Sequence, residues 1–319
     1  MVTCLIDQTG HEDIDALHKH LRKLKVKQED YYTKYLPRVD RWTGEPIKFT
    51  NAERYLNTEF VHKKNLKAYV KTGSEESKKW AIDCLIRRKV DKGLTYPPLQ
   101  VELRTIMAPT IPYYDYIGGY DNICKNAGYK IRFTGKVPEG ITPLQCPIII
   151  DTREQNPLKI PHQTIQHSLV CGDYGLDEPC NKNIYIERKS FGDFVGTLSD
   201  REVRKNDSNF ARFTRELERA QETGAYIIML IEHPLSECAA FDSIPYLKAQ
   251  TSKIKVSPDH IFYNLRSLTH RFDNFQPLFV ANRNEAAEMV VKLLSMGEAV
   301  KNFDLHLAYE QGQLIQLEK

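Results

Sequence analysis

The chain has 319 residues, 41% hydrophobic and 27% charged, with a formal net charge of +3. That size and balance allow two or three globular domains and exclude a wholly disordered chain. No apolar run approaches the ~18 residues of a membrane-spanning helix. The start, Met1-Val2-Thr3-Cys4, lacks the basic and apolar regions of a signal peptide, so a cytoplasmic or nuclear protein with no membrane partner is expected. The seven cysteines are scattered without a Cys-x-x-Cys pair, and reduced thiols rather than disulfides are expected.

Residues 1–72 read as an N-terminal helical region with an aromatic stretch, Tyr31-Tyr32-Thr33-Lys34-Tyr35, and a turn at Thr43-Gly44. The clusters Arg22-Lys23-Leu24-Lys25, His62-Lys63-Lys64 and Arg87-Arg88-Lys89 suit a polyanion such as nucleic acid, and equally a solvated basic surface. Residues 74–135 read as a small helical module. Ser74-Glu75-Glu76-Ser77 is a helix start, and Trp80, Ile82, Leu85 and Ile86 follow at helical spacing. Pro97-Pro98 breaks the chain before a short helix over 99–107, and a third helix over 116–126 stops at Gly128.

Residues 145–300 alternate strands with helices, which predicts an α/β domain, a central sheet flanked by helices. Strands are expected at 146–151, 183–189, 225–232 and 278–280, and helices at 191–198, 209–222, 258–270 and 284–296. The continuous apolar run 225–231 fits the centre of a sheet covered on both faces. Residues 301–319 read as a C-terminal tail, and there is no internal repeat.

The chemistry-bearing feature is Gly172-Asp173 followed by Glu187-Arg188-Lys189. Side chains alternate along a strand, so Glu187 and Lys189 share one face and Arg188 takes the other. Two carboxylates suit a hard divalent cation, Mg2+ or Mn2+. A lysine on the same face can orient water or offset charge on a phosphorane. Alone, acid-x-Lys is equally an exposed intrastrand ion pair. Around it stand Asp151-Thr152-Arg153-Glu154, Gly172-Asp173-Tyr174, Glu187-Arg188-Lys189-Ser190 with Asp193, and Leu198-Ser199-Asp200-Arg201 before a basic helix.

This ordered series resembles the XPF-type nuclease domain of the PD-(D/E)xK superfamily, over about residues 145–295. The resemblance implies a restriction-endonuclease-like fold and a metal-dependent DNA endonuclease. It implies Asp173 and Glu187 as metal ligands with Asp151 as a third carboxylate, and Lys189 as the catalytic lysine. Arg153, Glu154 and Arg188 complete the site, and Arg201 contacts DNA. It also implies a homodimer through the nuclease domain. Asp193 matches the pattern too, although Ser190-x-x-Asp193 is equally a helix N-cap pair. Two features depart from the pattern: Lys205-Asn206-Asp207-Ser208-Asn209 replaces a glutamine-bearing helix start, and no tandem helix-hairpin-helix follows.

Residues 78–130, with Ala108-Pro109-Thr110-Ile111-Pro112-Tyr113-Tyr114, Gly118-Gly119-Tyr120 and Ala127-Gly128, are similar to the helical repeat attached to phage homing endonucleases. That similarity implies a helix-turn-helix-like DNA-binding module in a bacterial or phage-infected cell. A module of this kind can place one helix in the major groove, with Tyr113, Tyr114, Asn122 and Lys125 as contacts and Tyr120 in its core. Cys4, Asp7 and His18 are similar to a phage-type zinc finger. Asp7 stands where such a finger needs cysteine, so a degenerate finger without structural zinc is expected. The leading expectation is a DNA endonuclease targeted by its N-terminal region. The rivals are a catalytically silent DNA-binding subunit and an RNA-acting nuclease.

Overall fold

A computed structural model of the chain describes residues 85–86, 89–90, 92–105, 111, 114, 118–140, 142–199, 208–251 and 256–314. The N-terminal region over 1–72, Tyr113 and Arg201 lie outside the described residues. The chain divides into two compact units, Met1–Arg132 and Phe133–Lys319.

In the first unit, helix α1 (Gln100–Thr105) follows Pro97-Pro98, and α2 is Tyr120–Asn126. Gly118 and Gly119, at φ 132° and 90°, hold a backbone that a helix cannot contain, so α2 begins at Tyr120. Tyr120 is core, as its sequence context suggests, and its hydroxyl donates to Pro98 O at 2.7 Å. Tyr114 corrects an expectation. It is 1% exposed with its ring 5.0 Å from that of Tyr120, so it fills the small core instead of meeting DNA. Asn122 and Lys125 are exposed on α2.

The second unit holds a six-stranded mixed sheet of order β2-β1-β3-β4-β5-β6. The strands are β1 Ile148–Asp151, β2 Thr164–His167, β3 Tyr174–Leu176, β4 Ile184–Lys189, β5 Tyr226–Ile231 and β6 Phe275–Phe279. β4, β5 and β6 run parallel, β3 is antiparallel to both β1 and β4, and β2 is parallel to β1. The α-helices among its described residues are α3 (Phe191–Leu198), α4 (Asn209–Glu222), α5 (Leu235–Cys238), α6 (Pro245–Gln250), α7 (Pro258–Arg271), α8 (Arg283–Met296) and α9 (Leu305–Glu310), with a 3-10 helix at Gly297–Asn302. Every residue of β5 is buried, as its unbroken apolar sequence requires. On one face Ile184, Ile186, Ile228, Leu230 and Leu278 pack with Ala286, Val290 and Leu293 of α8.

β2 and β3 have no sequence signal of their own. β2 is exposed throughout, and β3 is three residues long. The segment beyond 300 is core as much as tail. Leu305, Ala308 and Leu314 are buried in the main cluster. The buried Gln276 side chain donates to Tyr226 Oη (2.6 Å) and Phe303 O (3.2 Å), and accepts from Leu305 N (3.2 Å). Leaving those groups unpaired would cost about 1–3 kcal/mol each, so Gln276 anchors this segment.

The cysteine expectation is corrected at one place. Cys146 and Cys180 form a disulfide, their Cα atoms 6.3 Å apart. The pair spans 34 residues and joins the entry to β1 with the β3–β4 loop, a proximity made only by the sheet. Cys124, Cys171 and Cys238 are buried free thiols.

Candidate active site

The site is built on β4 and on the turn before β3. Gly172 has φ +69°, and a Cβ there would lie 3.0 Å from Ile186 O and 3.2 Å from Tyr185 Cβ. Only glycine allows this close passage, and it delivers Asp173 directly beside β4. Asp173 N donates to Ile186 O at 2.8 Å, and Arg188 N donates to Asp173 Oδ2 at 2.7 Å. Asp173 thus lies alongside Glu187, as a hairpin-like connection predicts. Burial, reinforced by the Glu187 charge, raises the Asp173 carboxyl to about 8.

Glu187 is 9% exposed and accepts from Lys189 Nζ at 2.5 Å. Burial raises its carboxyl; Lys189 opposes the rise and nearby Glu216 adds to it. For Lys189, burial lowers the ammonium pKa, but Glu187 and Asp173 outweigh it and hold the charge on. Among the described residues, Asp173 Oδ1 and Glu187 Oε2 accept no hydrogen bond.

The residues around this centre fall into two groups. Asp151, 1% exposed, is enclosed by donors: Arg153 Nε (2.6 Å) and the amides of Arg153 (2.8 Å) and Leu169 (2.7 Å). Burial alone would raise its carboxyl, but these donors take it below the ordinary value. Arg153 is 68% exposed beyond that bond. On the opposite face of β4, Arg188 is closed between Glu232 (Nε to Oε1, 2.6 Å) and Glu154 (3.5 Å). Glu232 is shared with Arg283, at 3.0 Å, and Arg283 also donates to Asn156 O and Pro157 O. Asp193 lies at the start of α3, where Ser190 Oγ accepts from its amide at 3.2 Å and donates to its Oδ2 at 2.6 Å. That is the capping arrangement its sequence allows.

A cleft of about 400 Å³ opens over Glu187 and Lys189. Its further walls include Arg153, Val170, Arg212, Phe213, Glu216 and Arg219. The sequence carries a basic helix after residue 200, and the fold decides which of its residues face the site. The signal was there in part: Arg212, Glu216 and Arg219 fall at i, i+4 and i+7, one helical ridge. Glu216 Oε1 also accepts from Gly172 N at 3.0 Å, tying α4 to the turn that carries Asp173. Glu232 and Arg283 were the other residues missed. Glu232 follows one strand and Arg283 begins one helix, and Glu232 joins Arg283 to Arg188 only once the sheet has formed.

Residues 150–293 match the ERCC4 domain, an XPF-type nuclease domain. A solved structure, XPF from Aeropyrum pernix, is similar at 19% identity and a TM-score of 0.31, over 53% of this chain and 71% of that one. No curated protein matches the chain. The ERCC4 match runs from the end of β1 to most of α8, and so contains every residue of the centre described above.

Proposed function

We propose that this chain is a metal-dependent DNA endonuclease that hydrolyses phosphodiester bonds and is targeted by its N-terminal region. The observation that supports the reading is the convergence of Asp173, Glu187 and Lys189 within the ERCC4 match, with Glu187 and Lys189 at the floor of a basic cleft.

The donor set fits a divalent cation. Asp173 and Glu187 are neighbouring carboxylates, Glu187 buried and Asp173 partly so, each with an oxygen that accepts no hydrogen bond among the described residues. No group of three or more His, Cys, Asp or Glu is gathered for a metal among the described residues. Magnesium suits this arrangement, because it keeps several waters and is held by one or two carboxylates plus substrate oxygens. Asp173 and Glu187 would hold it; Asp151, committed to Arg153, would keep the Asp151-to-Glu154 loop in place. When bound, the cation supplies positive charge at the scissile phosphate and makes nearby water more acidic. Lys189, kept protonated by Glu187, donates hydrogen bonds to the attacking water or to the phosphoryl oxygens as charge develops. Arg153, with its guanidinium edge exposed in the cleft, meets a neighbouring phosphate oxygen. A dimer through this domain, and DNA contact by Asn122, Lys125 and Arg201, belong to the same proposal.

The test is cleavage of labelled duplex, flap, fork, junction and RNA substrates with Mg2+, Mn2+ or chelator. Metal-dependent cuts in DNA that vanish in Lys189→Ala are expected. Absence of metal-dependent cleavage on every substrate, or full activity in the variant, would overturn the reading, and a preference for RNA would replace DNA as the target.

A further inference from the structure

Helix α4 presents a ridge to the cleft that the chemistry above does not use. Asn209, Arg212, Glu216 and Arg219 lie along it, while Phe210, Leu217 and Ala220 are buried on the opposite side and Phe213 is a buried wall of the cleft. Several arginines of this unit are neutralised: Arg153 by Asp151, Arg188 and Arg283 by Glu232, and Arg271 by Glu218. Arg212 and Arg219 differ. Both are exposed, and among the described residues neither side chain has a hydrogen bond or an ion pair. The carboxylate between them, Glu216, is turned to Gly172 N. A basic helix face in open solvent would be unremarkable. This one walls a cleft whose floor is Glu187 and Lys189.

We infer that Arg212 and Arg219 grip the phosphate backbone of one nucleic-acid strand on the two sides of the reacting phosphodiester. This rests on the nucleic-acid reading above and names how the substrate is held. The two arginines are seven residues apart, about 10 Å along the helix, so side chains leaving it in parallel address separate phosphates. Arg153 lines the same cleft, and its cationic groups are therefore spread out, as a polyanion requires and a single small anion does not. The ridge carries guanidinium groups aimed at backbone charge, so the grip is independent of base sequence.

The experiment uses the full chain with Arg212→Gln/Arg219→Gln, beside a control double variant of exposed residues outside the cleft, Lys159→Gln/Lys182→Gln. Binding of a labelled single-stranded oligonucleotide is followed by anisotropy against salt, in chelator. Loss of two phosphate contacts should lower the slope of log K against log salt by about 1.4, with no change in the control. In the cleavage assay KM should rise by about tenfold with kcat nearly unchanged. Hydrolysis of the small diester bis(p-nitrophenyl) phosphate should be unaffected. An unchanged slope and KM in the arginine variant would overturn the inference, even if wild type cleaves DNA. A lowered slope in a chain that cleaves nothing would support the grip and refute the nuclease reading.

Discussion

On one face of β4, Glu187 and Lys189 look into a basic cleft with Asp173 beside them; on the other, Arg188 is enclosed by Glu154 and Glu232. The second face is balanced: each buried carboxylate meets a guanidinium, and Glu232 meets two. The cleft face is not. Buried Glu187 and partly buried Asp173 have one lysine near them, bonded to Glu187, and both carboxyls are pushed toward their neutral forms. A buried pair relieved by opposite charge holds a strand in place. A pair left short of positive charge is costly in the free protein and ready for a cation and a phosphate.

Breaking the cleft face should abolish activity while sparing the fold. Glu187→Gln is expected to lower the rate of DNA cleavage by about 10³-fold, with a melting temperature at or above wild type because one strained charge is gone. A variant that loses cleavage only by unfolding would refute this division of roles. Breaking the balanced face should do the reverse. Arg188→Ala leaves Glu154 and Glu232 buried without their shared partner and should cost about 3–5 kcal/mol in urea denaturation.

Acidity sharpens the same contrast. The Asp173 carboxyl sits near 8 when folded and near its ordinary value when unfolded. Between about pH 4 and 8 the folded state therefore binds the extra proton, so in chelator stability should fall as pH rises through that window. Asp173→Asn should flatten the curve; an equally steep decline in that variant would place the strain elsewhere. The smallest effect is expected at the start of α3. Ser190→Ala removes its cap and should cost about 1 kcal/mol with cleavage unchanged. A large loss of cleavage at unaltered stability would move Ser190 and Asp193 into the chemistry.

Most of the sheet's centre is legible in the sequence, because β1, β4 and β5 are apolar enough to declare themselves and their helices begin at recognisable caps. Ser190, Ser208, Ser257 and Asn282 all accept from amides of the first turn they precede. β2 and β3 are not legible: an exposed edge strand and a three-residue strand carry too little pattern to outweigh their turns. Tyr114 misleads for a related reason, since an aromatic beside prolines reads alike whether it packs or binds.

Alternation along six residues was sufficient to place Glu187 and Lys189 on one face and Arg188 on the other, because a strand's period is local and fixed by its backbone. The need for glycine before Asp173 became visible only where that turn passes close to β4. What surrounds each face was decided only in three dimensions. Glu232 reaches Arg188 from 44 residues away and is joined there by Arg283 from 51, Glu216 reaches Gly172 across 44, and Cys146 meets Cys180 across 34. Local sequence sets which way a side chain points; which charges it meets depends on chain closure over tens of residues, and no local pattern encodes that.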